Sequence, residues 1–271
     1  MIKANIRKYI ILILELFKTY NMKINNILSL GLAAIVSATI SSCTTISDQE
    51  FEVNGVKFKM IAVEGGSFMM GATPGQGEDA RENEKPAHKV TVDDFLIGET
   101  EVTQELWFAV MGSNPSHFKY KDGNYPVENV SWYDVQEFIK KLNEITGQQF
   151  RLPFEAEWEY AARGGKKSTD KKYSGSNNIN DVAWVKNNSG GKSHAVASKK
   201  ANELRLFDMT GNVFEICQDL CADIDKSMYA YRGGAISNDT TTATCLHVSA
   251  RRAFLLSKKA YSIGFRLVLD T

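Results

Sequence analysis

The sequence predicts an α+β fold, rich in loops, with short strands and about three helices. Three observations carry this reading. Helical periodicity is confined to residues 104–162. Strand-like alternation precedes that stretch, and only short strand candidates follow it. Elsewhere, runs of Lys, Ser, Asn and Gly leave much of the backbone irregular.

In chain order, VKFKMIAVEGGSFMMG (56–71) alternates apolar and polar residues and turns at Gly65-Gly66, which reads as strand, tight turn, strand. The polar ATPGQGEDARENEKPAH (72–88) is a surface loop, and KVTVDDFLIGETEVT (89–103) is strand-like again. Thr103 can cap a first helix, stopped by Gly112. Ser131 caps a second, with Asp134 three residues on. Val135, Phe138, Ile139 and Leu142 share one face of it, and Gly147 ends it. A third begins after Pro153, turns Trp158, Ala161 and Ala162 inward, and stops at Gly164-Gly165. Residues 166–200 are polar apart from Val182-Ala183-Trp184. Strand candidates then fall at 213–217, 228–232, 247–251 and 264–269. With no repeat and no clear linker, residues 56–271 read as one domain, long enough to bury a core.

The N-terminus does not belong to that domain. MKINNILSLGLAAIVSATISSC (22–43) has a lysine soon after Met22, an apolar stretch from Ile27 to Ile40, and a small-residue end before Cys43. The stretch is short for a membrane span and has the build of a secretory signal. Its end resembles a bacterial lipobox, which is cut just before a cysteine that carries lipid. The plainer alternative is a signal peptide with an incidental cysteine. Residues 1–42 are therefore expected to be a signal peptide, with 1–21 an upstream over-read. Cys43 is the expected lipidation site and 43–55 the tether. The expected location is the cell envelope, at the outer membrane or periplasmic face, with the lipid as the membrane contact.

The whole chain has no net charge; without residues 1–42 it carries 27 basic and 31 acidic residues. No long basic run is present, so no nucleic-acid partner is expected. Three cysteines remain after Cys43. CQDLC (217–221) has no second Cys/His pair beside it and is not a zinc signature. His88 and His194 stand alone in or beside polar loops.

Seven stretches, in order, resemble one family. They are GGSFMMG (65–71), EKPAHKVTVDDF (84–95), YPVENVSWYDVQEF (125–138), RLPFEAEWEYAARGG (151–165), NELRLFDMTGNVFEI (202–216), RGGA (232–235) and GFRLV (264–268). Together they resemble the formylglycine-generating enzyme, or sulfatase-modifying factor, domain. The resemblance implies a loop-rich variant of the C-type lectin fold. It also implies an oxidase that converts a sulfatase cysteine to formylglycine through two cysteines binding copper, a pairing that suits soft thiolates.

Counted from Gly233-Gly234, the family's cysteine pair falls here on Asn238 and Ala243. Neither side chain holds Cu(I), so no copper is expected and no catalytic residue is assigned. Cys245 is a lone thiol with no base beside it in sequence. The partner domain that iron-dependent relatives use for sulfur transfer is expected to be absent here. What remains is an exported binding or scaffolding protein whose ligand is an unidentified protein, peptide or glycan. Ser237, Asn238, Asp239, Thr240, Thr241 and Thr242 can hydrogen-bond sugars or peptides without being reactive. The alternatives are a solvated loop and, for the whole chain, a modifying oxidase with a rearranged site.

The resemblance further implies calcium, held by Asp208, the carbonyls of Gly211 and Val213, and Glu215; hard oxygen donors suit that ion. The alternative is that both acids cap and solvate a turn. The family's other calcium site meets Val182 and is not carried over. Finally, if the strands ending at Cys217 and starting near Cys245 meet, a Cys217–Cys245 disulfide would anchor the polar loop. In the chain-entropy account it would contribute roughly 3 kcal/mol. Cys221–Cys245 is the rival pairing.

Overall fold

Asn54 and Gly55 both take left-handed backbone, with φ of 50° and 84°. A two-residue Asn-Gly connection with both φ positive is the type I′ turn that matches the twist of a hairpin. It joins β1 (Gln49–Val53) to β2 (Val56–Val63), with Phe51 opposite Phe58. The tether expected over 43–55 is thus too long, because residues 49–55 belong to the folded domain. The structure, a computed structural model, describes residues 46–77, 80–221, 227–239 and 245–271. The expected signal peptide, Cys43, and loop residues Thr240, Thr241, Thr242 and Ala243 lie outside the described residues.

The next strands are β3 (Gly66–Met70), β4 (His88–Val92) and β5 (Phe95–Gly98). Both strands expected in 56–71 form, but they do not pair with each other. β2 joins β5, and β3 joins β4. The sharp corner between them requires glycine at 65: a Cβ there would sit 2.4 Å from the Asp93 carbonyl carbon.

The helices follow the sequence signals. Helix α1 (Gln104–Met111) starts with Thr103 Oγ1 accepting Leu106 N–H and stops at left-handed Gly112. Helix α2 (Trp132–Thr146) has its capping box: Asp134 N–H donates to Ser131 Oγ, and Ser131 N–H to Asp134 Oδ2. Val135, Phe138, Ile139 and Leu142 are all buried, and Gly147 closes the helix. After β6 (Phe150–Arg151), α3 (Glu155–Ala162) buries Trp158, Ala161 and Ala162. A one-turn α4 (Ile179–Val182) was not anticipated.

The C-terminal strands are β7 (Phe214–Leu220), β8 (Met228–Arg232), β9 (Arg252–Leu255), β10 (Ile263–Gly264) and β11 (Val268–Asp270). One sheet runs β1-β2-β5-β11-β6 and a second β10-β7-β8-β9, with β3-β4 as a separate pair. Two strand expectations change. Residues 247–250 are buried turn and loop, Arg251 is half-buried, and the strand begins at Arg252. The candidate over 264–269 splits between the two sheets. Phe265, Arg266 and Leu267 make the crossing and are all buried.

Two apolar clusters fill the interior. Under α1 and α2, Trp107 stacks on Phe138 at 5.0 Å, and Phe265 meets both rings edge-on. On the other side, Trp158 of α3 packs with Ile61, Phe95, Ile97 and Val268 of the five-stranded sheet.

Candidate binding cleft

Gly233 and Gly234 follow β8 with φ of 85° and 73°. A side chain at 234 would sit 2.5 Å from Leu246 Cδ2, so glycine lets the chain turn tightly here. Asn238 then closes the turn. Its Oδ1 accepts Ala235 N–H at 2.8 Å, and its carbonyl accepts Lys186 N–H at 3.0 Å. The residue expected at the family's first thiol position is therefore a turn-former. Ser237 beside it is exposed and Asp239 half-buried.

Ser237 and Asn238 form one rim of a cleft of about 560 Å³. Phe214, Phe254 and Ile263 give it apolar walls. Arg251, Arg252 and Lys258 give it positive charge, and no described lining residue is acidic. Its volume lies within the range that ligand clefts span. Arg251 is neutralised by Glu155, at 3.1 and 2.6 Å, whereas Arg252 and Lys258 make no carboxylate pair among the described residues.

Behind Arg251 and Asn83 lies a second cleft of about 470 Å³ with a charged floor. Arg232 meets Glu159 at 2.5 Å and Glu155 at 3.0 Å, and Arg163 meets Glu159 at 2.8 Å. Burial works against the Arg232 charge, but the two carboxylates outweigh it and raise its pKa. These pairs are all but inaccessible to solvent, and losing one partner would strand a buried charge. Glu155, Glu159 and Arg163 recur every four residues on one helix face, the sequence signal that could have found them.

The expected Cys217–Cys245 disulfide is not formed, nor is its rival; Cys217, Cys221 and Cys245 are buried thiols. The register explains why. Arg252 pairs with Tyr231, which pairs with Ile216, so Arg252 and Ile216 share a sheet face that Cys217, the next residue, does not. Cys217 packs with Trp158 and Ala230. Burial, with Glu155 adding to it, pushes the Cys217 thiol well above its ordinary pKa. Cys245 instead receives Arg252 Nη2 at 2.6 Å and Arg81 Nη2 at 3.2 Å.

The positions implied for calcium meet a buried acid cluster. Glu215 does not present a free carboxylate. Arg266 holds both its oxygens at 2.6 Å, and Trp158 Nε1 donates to Oε2 at 2.6 Å. Asp208 Oδ2 accepts Ala197 N–H at 2.8 Å, while its buried Oδ1 has no partner. Glu101, which the sequence reading missed, accepts from Asn212 Nδ2 at 2.7 Å and Val213 N–H at 3.0 Å. Burial, then the neighbouring acids, raise Glu101 well above its usual range, and burial raises Asp208 to about 6. Among the described residues, no three His, Cys, Asp or Glu side chains form a metal-holding group. Asp208, through its unpartnered Oδ1, is the acid here best suited to meet a cation, with Glu101 in the same cluster; Glu215 serves as the counter-ion of Arg266.

The loop-rich α+β fold and this site define a class. The sulfatase-modifying factor enzyme 1-like domain matches residues 48–271, and the chain belongs to that family. It is 34% identical to Chaperone protein LppX of Paenibacillus barcinonensis, over 69% of this chain and 77% of that one. It is 24% identical to Inactive C-alpha-formylglycine-generating enzyme 2 of Bos taurus, over 79% and 88%. It spans less than a third of the Chlamydia relatives named serine/threonine-protein kinase Pkn1. The solved structure of Treponema denticola variable protein 1 superposes with a TM-score of 0.76 at 33% identity. That match covers 84% of this chain and 100% of the other.

Proposed function

We propose that this chain is an exported, lipid-anchored member of the family that binds or scaffolds at the bacterial cell envelope without copper chemistry. The observation that carries this reading is Asn238. An amide that closes a turn occupies the position where the family's chemistry needs a thiolate. The similarity to a chaperone and to an inactive enzyme supports it. The test is to incubate the full chain in detergent with Cu(I) and a cysteine-containing sulfatase peptide. The expected result is unchanged peptide mass; aldehyde formation overturns the reading.

A second reading, a modifying oxidase, is favoured by Cys245, on whose sulfur two guanidinium groups converge. Under that reading the same assay gives aldehyde, lost in Cys245→Ser. The anchor has its own test: wild-type protein partitions into detergent and Cys43→Ser does not. We propose that calcium, where bound, is structural and held by Asp208 and Glu101. Calcium should then raise the melting temperature relative to EDTA, and Asp208→Asn should remove that rise.

A further inference from the structure

Four consecutive residues, Arg251, Arg252, Ala253 and Phe254, all line the 560 Å³ cleft. Side chains alternate along a strand, so a cavity over one sheet face would meet every second residue. This cavity meets all four, and also Phe214 of β7, Met228 of β8 and Ile263 of β10, so it lies over the sheet and reaches round to the edge at β9. β9 is an edge strand: it pairs with β8 on one side and ends the sheet. Among the described residues, no backbone group of Arg252, Ala253 or Phe254 on the outer side pairs with another strand. An open edge with unpaired N–H and C=O groups is a template for an added strand, and natural proteins usually cover one.

The charge on this edge selects the occupant. Among the described residues Arg252 and Lys258 have no carboxylate partner, Arg252 donating instead to Cys245 Sγ, and no described lining residue is acidic. A second copy of this chain would bring the same cations against them, whereas an acidic segment complements them. Phe214 and Phe254 offer apolar contact between the charges. We propose that β9 and its cleft bind an extended acidic peptide segment of a partner protein by strand addition. This deepens the binding reading given above and rests on it. Backbone pairing with β9 supplies the affinity, and carboxylates on alternate residues meet Arg252 and Lys258.

The test uses the full chain in detergent and fluorescein-labelled nine-residue peptides read by anisotropy. The acidic peptide is TVTEVDVTV, the charge-swapped one TVTKVKVTV, and a third is the acidic peptide N-methylated at its two central amides. The acidic peptide should bind at least about tenfold more tightly than either control. Lys258→Glu, at an exposed position, and Arg252→Glu should each weaken it by a similar factor, with circular dichroism checking that the fold is kept. No binding by about 1 mM overturns the inference. So does equal binding of the charge-swapped or N-methylated peptide. A sulfated oligosaccharide that binds more tightly than the peptide, and loses that binding in Lys258→Glu, overturns the peptide assignment in favour of a glycan. Each of these failures leaves the non-catalytic reading intact. Aldehyde formation in the earlier assay removes that reading whatever the peptides do.

Discussion

Helix α2 buries one face and the Arg232 segment is buried, but different forces specify them. Helix α2 is fixed by neighbours in sequence: a cap at Ser131, its partner Asp134, four apolar residues on one face, and a glycine at the exit. Arg232 is fixed by Glu159, 73 residues earlier, and by Glu155 on the same helix α3. Its guanidinium also lies 5.5 Å from the Trp158 ring centre. A local element can lose one signal and keep the rest. A buried arginine has no water to fall back on when a carboxylate is lost, and the reverse also holds.

The largest effect should therefore come from Arg232. Arg232→Met leaves Glu155 and Glu159 at 4% and 0% exposure with a weakened counter-charge. Breaking a buried pair in this way costs about 3–5 kcal/mol. Urea unfolding measures it, and a loss under about 1 kcal/mol would mean that water or Arg163 already satisfies those acids. Adding Glu159→Met to Arg232→Met removes one stranded carboxylate but takes the partner of the buried Arg163 with it, so the double variant should recover little of the loss.

The same contrast explains what the sequence disclosed. Caps, periodicity and stop glycines exposed all three main helices, and Trp158 read correctly as core. Asn54-Gly55 was a legible hairpin signal that the tether reading passed over. The site was less legible. Whether Cys217 faces Cys245, or Glu215 faces calcium rather than Arg266, depends on which strands meet and in what register, and no local pattern carries that. Likewise, Arg252 and Lys258 gain meaning only once β9 proves to be an edge.

Glu128 sharpens the comparison, since it is buried with no counter-ion among the described residues. Its Oε1 accepts Phe118 N–H at 2.7 Å, and its buried Oε2 has no partner. Burial raises its pKa from an ordinary 4.5 to about 7, although backbone donors oppose the rise. A raised acid stabilises the fold fully below the unfolded value of 4.5 and loses that contribution as pH climbs through 7. Discounted for nearby solvent, the loss is about 1–2 kcal/mol. Stability relative to Glu128→Gln should fall between pH 5 and pH 8 in urea titrations. A difference that is flat across that range would show that the carboxylate is already ionised in the fold.

The smallest effect belongs to the most local device. Ser131 Oγ accepts Asp134 N–H at 3.3 Å and donates to Asp134 Oδ2 at 2.5 Å, so Ser131→Ala removes both bonds. It does not touch the reciprocal bond from Ser131 N–H to Asp134 Oδ2 at 2.7 Å, which needs only backbone at position 131. Half of the box survives, and Lys259 still meets Asp134 Oδ2 at 2.8 Å. The apolar face from Val135 to Leu142 remains packed against the core. The expected cost is about 1 kcal/mol, in the middle of the range for losing a serine cap. Thermal or urea unfolding reads it directly. A loss as large as that of Arg232→Met would mean that α2 depends on its first turn rather than on its buried face, and the contrast drawn between the two regions would fail.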